Sequence, residues 1–301
     1  MSLNQDYNTP TVLNVLIERI QNLKKSGKFE DAIRAAETAV ESARRLIADR
    51  PDQIINLVTC LELLGNLLRI CGKEMESEAV YVEALSYEGS EKIEIGQLAR
   101  IKSNLACIYD NNNLNDEAII LYNQAIDTFS SLTPSPEIEI ANIRNNLGML
   151  HKKKREFEAA ENNYMIALQA FENKKGATSK EAAAVYNNPG TLFYDAELIN
   201  QSREMHEQAL EILTESKKSN NSDLGQSYSN LAASLEKLGE NDAAEKNYEL
   251  ALSLLENTLK DALGIYDITC ENYCNLLIRI GKKRRAASVQ KKALKLTSKI
   301  R

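Results

Sequence analysis

The sequence predicts an all-α chain of about seven antiparallel helix pairs stacked in series, and three observations predict it. Breakers are scarce: 301 residues hold only 12 glycines, 5 prolines and no tryptophan, with 43% apolar and 27% charged residues, a composition suited to helices. An alanine recurs in "VYVEAL", "LYNQAI", "NYMIAL", "MHEQAL", "NYELAL" and "VQKKAL" as Ala84, Ala125, Ala167, Ala209, Ala251 and Ala293, at spacings of 41, 42, 42, 42 and 42, and Ala39 extends the series back by 45. Other positions keep that register. A small residue stands nineteen before each alanine (Gly65, Ala106, Gly148, Gly190, Ala232, Cys274), and three before it comes Tyr81, Tyr122, Tyr164, His206 or Tyr248. Small residues at fixed helical spacing let two antiparallel helices approach, and the ring fills the space between them.

Taken in chain order, the polar start "MSLNQDYNTP" is expected to be a flexible tail over 1–10. The helix pairs follow at roughly 11–49, 53–88, 92–132, 136–174, 178–217, 221–260 and 264–301, the first and last degenerate. Their turns are marked by Gly27, Gly72, Gly239 and Gly281 or by polar "DNNNLN". A length of 301 residues favours about two domains. One helix pair cannot bury both of its apolar sides, however, so each stacks on the next and one elongated solenoid over 11–301 is expected. The fifth pair carries an anomaly: Pro189 stands where its neighbours have Leu147 and Leu231. Proline costs ~3 kcal/mol in a helix interior, so a bent or interrupted first helix is expected there, with the stack intact.

The pattern "NLGMLH…AENNYMIA" resembles the tetratricopeptide repeat, over about residues 11–301. The 42-residue period and the openings "RNNLG", "YSNLA" and "KSNLA" resemble its kinesin-light-chain-like subfamily. The histidine-proline signature between kinesin-light-chain repeats is replaced by "TPSPEIEIA" and "TSKEAAA". The resemblance implies a right-handed α–α superhelix and a protein-interaction scaffold or adaptor that lays an extended peptide in a concave groove.

By that resemblance, the groove is lined by one face of each first helix, read at spacings of +4, +3 and +4. It holds Arg100, Asn104, Cys107 and Asn111, then Asn142, Asn146, Met149 and Lys153, then Ala184, Asn188, Thr191 and Asp195. Gln226, Asn230, Ala233 and Lys237 follow, and the last copy gives Ile268, Asn272, Asn275 and Arg279. Asn104, Asn146, Asn188, Asn230 and Asn272 are each 42 apart. Helical asparagine costs up to ~0.7 kcal/mol against alanine, so propensity does not choose it five times. A carboxamide donates and accepts, which suits the backbone of an extended peptide; the competing reading is a ladder that bonds neighbouring helices. Arg100, Lys153, Lys237 and Arg279 against Asp195 predict a ligand with acidic residues. The Lys and Asn that clamp chaperone tails in other tetratricopeptide domains are replaced by Ser103 and Cys107, or Asn145 and Met149, which disfavours that ligand.

No nucleotide-binding, metalloprotease or nucleophile-elbow motif is present. The two histidines, His151 and His206, occupy core-type repeat positions, so neither an enzyme nor a cofactor is expected. Five cysteines form no C-x-x-C pair; Cys270 and Cys274 lie i,i+4 without ligand partners at metal spacing, so buried reduced thiols and a cytoplasmic location are expected. No secretory signal is read at the start, and no apolar run approaches a membrane span. From Gly281 onward nine basic residues meet no acidic one, which leaves −15 on the rest of a chain whose net charge is −6. An acidic body disfavours nucleic acid. The basic amphipathic end, with its stripe of Ala286, Val289, Ala293, Leu296 and Ile300, reads first as a terminal cap and second as a surface for an acidic partner or membrane. Two alternatives to the adaptor stay open: a peptide-sensing regulatory module of a larger protein, and a solenoid that self-associates end to end.

Overall fold

The computed structural model describes residues 9–175, 180–215, 220–298 and 300. The expected tail lies outside them over 1–8, while Thr9 and Pro10 already open the first helix, where proline fits the first turn. The expected pair ends at 178–179, 216–217 and 301 also lie outside.

Among the described residues there are fourteen α-helices in seven pairs. They are α1 (Thr9–Lys25) with α2 (Phe29–Asp49), α3 (Ile54–Ile70) with α4 (Glu74–Leu85), α5 (Ile95–Asn111) with α6 (Asn115–Ser130), and α7 (Glu137–Lys153) with α8 (Phe157–Lys175). Then come α9 (Lys180–Asp195) with α10 (Ile199–Glu215), α11 (Asn221–Lys237) with α12 (Asn241–Glu256), and α13 (Leu263–Arg279) with α14 (Lys283–Thr297). The contacts group the chain into two compact units, residues 1–143 and 144–301. In the first, each helix from α1 to α6 packs on the next. In the second the same succession runs from α8 to α14, and α13 packs on α12 and more lightly on α11.

Every pair turns the same way. The second residue after each first helix has positive φ: Gly27, Gly72, Asn113, Arg155, Glu197, Gly239 and Gly281, between 59° and 83°. One residue further on, the amide reaches back five residues to a helix carbonyl, as Lys28 to Leu23 (3.0 Å), Glu156 to His151 (2.9 Å) and Lys282 to Leu277 (2.7 Å). This is the Schellman closure, which satisfies orphan carbonyls at the helix end. Glycine marks only four of the seven turns, so the sequence signal was partial; Arg155 and Glu197 hold the left-handed conformation without it.

The interior of each pair follows the small-residue rule. A Cβ added to Gly65 would lie 2.5 Å from the Tyr81 ring, at Gly148 2.6 Å from Tyr164, and at Gly190 2.5 Å from His206. The rings of Tyr81, Tyr122, Tyr164 and Tyr248 are fully buried; burying such a ring removes roughly 150–250 Å² from water. Tyr248 also stacks on Tyr273 of the following pair, 5.7 Å between centroids.

Two expectations need correction. Pro51–Ile70 is long and apolar enough to cross a membrane by length and composition, with a mean hydropathy of 1.3. That apolarity is used in the core, where Leu57, Val58, Leu61, Leu67 and Leu68 are buried. Second, of the bend or interruption expected at Pro189, the interruption is absent: α9 runs from Lys180 to Asp195 with the proline inside and buried. Proline removes one donor to the Val185 carbonyl, while Val185, Leu192 and Phe193 on either side stay buried and hold the helix in place.

Candidate functional site

The predicted face has a consistent profile within each helix. Its outer positions, Arg100 and Asn111 on α5, Asn142, Met149 and Lys153 on α7, Ala184 and Asp195 on α9, Gln226 and Lys237 on α11, and Arg279 on α13, are exposed. Asn104, Asn146, Asn188, Asn230 and Asn272 are half-buried between them. Helical periodicity explains this: the asparagine sits two residues before the small residue that touches the partner helix, so it lies at the edge of the packed seam.

The carboxamides are not equivalent. In the first unit, Asn104 donates from Nδ2 to Oδ1 of Asn66 on the preceding first helix at 2.9 Å, and that oxygen also accepts from the Tyr81 hydroxyl at 2.7 Å. In the second unit, Asn188 donates to Oδ1 of Asn145 at 2.6 Å. These two asparagines are rungs between consecutive repeats. Asn230 differs: its Nδ2 is buried and has no hydrogen-bond partner. Asn187, the counterpart of Asn145 42 residues on, bonds other groups instead. Its Nδ2 donates to Ser227 Oγ at 2.6 Å and its Oδ1 lies 3.0 Å from His206 Nδ1.

His206 itself is buried, as expected of a core position, and burial with the nearby Lys152 charge pushes its pKa down to about 3. His151 departs from expectation. It is half-buried, with Nδ1 2.7 Å from Glu156 Oε2 across the turn, because its position at the last turn of α7 leaves one ring edge in solvent.

The basic residues of the face are largely paired. Arg100 bonds Glu62 at 2.9 Å, Lys237 meets Glu197 at 3.3 Å and lies over the Tyr194 ring, and Arg279 meets Glu236 at 3.1 Å. Each carboxylate comes from the preceding repeat. The face is therefore closer to neutral than its four cations alone imply.

Sequence models of the tetratricopeptide repeat match residues 99–129, 139–215 and 224–262. The crystal structure of BtubC (BKLC) from P. vanneervenii is 32% identical, over 75% of this chain and 90% of that one, with a TM-score of 0.67. The chain is a tetratricopeptide-repeat protein. Its all-α solenoid of helix pairs is shared with the apo form of RapI (15% identity, 96% and 77% covered, TM-score 0.73). It is shared also with a Rap protein complexed with Competence and Sporulation Factor (14%, 96% and 77%, TM-score 0.61). A putative Podosopora anserina kinesin light chain with TPR-like repeats is similar in structure as well, with 13% identity over 70% of this chain and 99% of that one and a TM-score of 0.54. No match was found among curated proteins.

In this tetratricopeptide-repeat protein the sequence reading found the column but missed its acceptors. Asn66, Asn145 and Asn187 sit one position after or three before the small residue, outside the column. The signal that finds them is the repeat distance itself: partners across a repeat boundary lie 38 to 43 residues apart. The carboxylates Glu62, Glu197 and Glu236 were missed because scattered acidic residues on helices look solvated until the neighbouring repeat is placed beside them.

Proposed function

We propose that this protein-interaction scaffold works as an adaptor that holds an extended peptide against the asparagine face, with Asn230 as the principal contact. The observation that carries this reading is the unpartnered carboxamide of Asn230 between the exposed Gln226 and Lys237. A buried donor without a partner costs about 1–3 kcal/mol, and a peptide carbonyl relieves that cost after a small side-chain rotation. Backbone recognition of this kind tolerates varied side chains. Acidic residues of the peptide exchange with Glu197 and Glu236 for Lys237 and Arg279. Exposed ion pairs are worth about 0–1 kcal/mol, so the acidic preference is modest. The Rap protein complexed with Competence and Sporulation Factor supports partner binding by this repeat fold.

The test is a fluorescence-anisotropy screen of labelled extended peptides, neutral and acidic, against the full chain and three variants. Asn230→Ala is expected to weaken binding at least tenfold without lowering the melting temperature. Asn104→Ala and Asn188→Ala, which remove rungs, are expected to lower the melting temperature. If Asn230→Ala melts early and binds normally, the whole column is a structural ladder and the adaptor site lies elsewhere.

A further inference from the structure

Among the described residues, no helix packs on the face of α14 that corresponds to the covered face of α12. Within the second unit, α12 is covered by α13, and Leu252 on it is only 8% exposed; its counterpart 42 residues on, Leu294 of α14, is 63% exposed. The hollow between α13 and α14 measures about 650 Å³ and is lined by Cys270, Cys274, Ile278, Ala286, Ala293 and Leu294, among others. Two departures from the repeat pattern bear on it. Gln290, exposed, stands where Tyr248 fills the preceding pair, so the ring that packs between the helices is missing.

The second departure changes charge at two positions. On α12, Glu245 and Glu249 grip the following pair: Glu245 takes Lys282 at 2.6 Å and Arg285 at 2.7 Å, and Glu249 accepts from the Tyr273 hydroxyl at 2.9 Å and also pairs with Arg285. Forty-two residues on, these positions are Ala287 and Lys291. Lys291 is exposed, with Lys283, Arg284 and Lys295 exposed on the same helix. Of these two acceptors on α12, one has lost its charge on α14, at Ala287, and the other has become a donor, at Lys291.

We propose that this face docks an amphipathic helix from a partner protein that presents a bulky aromatic side chain flanked by carboxylates. The aromatic fills the hollow that Gln290 leaves, and the carboxylates meet Lys291 and its neighbours, so the partner reproduces in reverse charge what α13 does on α12. A second copy of this chain is a poorer occupant. The helix that would lead, α1, carries Arg19, Lys24 and Lys25 against Glu18, and like charges facing α14 repel.

The probe is a labelled 17-residue peptide with the apolar register of α13, tyrosine retained at its Tyr273 position, and glutamates on the side that faces α14. Binding to the full chain is read by anisotropy, beside a lysine version of the same peptide. The acidic peptide is expected to bind at least tenfold more tightly than the basic one. Leu294→Asp is expected to abolish binding, and Lys291→Glu to invert the preference; both residues are exposed, and unchanged melting curves check the fold. No binding of the acidic peptide, or binding indifferent to Lys291→Glu, overturns the proposal. A concentration-dependent mass increase in sedimentation that Leu294→Asp removes assigns the face to a second copy instead. Binding to anionic vesicles lost in Lys291→Glu, without peptide binding, assigns it to a membrane surface, and either result also overturns the proposal. These variants leave the Asn230 face untouched, so its peptide binding serves as an independent control.

Discussion

The fifth and sixth helix pairs occupy consecutive 42-residue frames, and they differ at four positions around one seam. The sixth has Leu231, Ala232, Tyr248 and Gly239; the fifth has Pro189, Gly190, His206 and Glu197. Leu231 completes a helical hydrogen bond that Pro189 cannot, and Gly239 adopts φ 81° freely where Glu197 is held at 59°. Tyr248 sends its hydroxyl to Glu236 at 3.1 Å, whereas His206 turns its ring to Asn187. Both seams nevertheless close, with Leu192, Phe193, Leu210, Leu231, Leu235 and Leu252 buried around them. The difference teaches that stacking on both neighbours lets one repeat carry several local costs at once. It also bears on the candidate site: Asn187, the counterpart of the rung acceptor Asn145, bonds His206 and Ser227 and not Asn230.

The largest effect expected from converting the fifth seam into the sixth comes from Pro189→Leu. It restores a donor to the Val185 carbonyl and is expected to stabilise the chain by up to ~3 kcal/mol, read from urea unfolding midpoints. An unchanged midpoint means that α9 has already accommodated the proline elsewhere.

The next effect is a pH dependence. His206 stays neutral in the folded chain down to about 3, while the unfolded chain takes up that proton near 6.5. Between those values the unfolded state binds more protons, so stability falls as pH falls through the window, by up to about tenfold in the folding constant per pH unit. His206→Tyr is expected to flatten that slope between pH 6.5 and 5 relative to the parent chain. Parallel slopes would show that carboxylates, not this imidazole, set the acid limit.

Gly190→Ala follows. Its Cβ would meet His206 Cε1 at 2.5 Å and Nδ1 at 2.8 Å, both in a buried ring, and overpacking of this kind costs about 1–3 kcal/mol. The double variant with His206→Ala should recover part of that loss; additive losses would argue against the close approach. The smallest effect is Glu197→Gly. It relieves a left-handed residue worth about 1–2 kcal/mol and gives up an exposed ion pair with Lys237. A net gain of roughly 1 kcal/mol in thermal or urea unfolding is expected, and Gly239→Glu should cost about as much in the sixth pair.

Much of this architecture was legible because a repeat states its own register six or seven times. The alanine series and its glycine and tyrosine companions located every seam, and the structure puts the tyrosine rings against those glycines. The turns were half legible: four carry glycine, but Asn113, Arg155 and Glu197 take the same left-handed conformation. There, the helix-end bonds and the packing on either side impose the geometry that glycine would otherwise make easy. The candidate face was legible as a column and illegible as chemistry. Five asparagines at one spacing look alike, and only their neighbours distinguish Asn104 and Asn188, which are bonded, from Asn230, which is not. The basic rim misled for the same reason, since Arg100, Lys237 and Arg279 find their carboxylates across a repeat boundary.

By itself, then, the sequence determined the helix pairs, their period, the residues that pack between them and the family, because those follow from periodicity and side-chain size, which are local and repeated. The tertiary structure alone decided which polar groups are already partnered and how a proline is carried inside a helix. The first depends on side chains about forty residues apart in the chain meeting across a repeat boundary, at 2.6 to 3.3 Å, and no periodicity in one helix records what its neighbour brings.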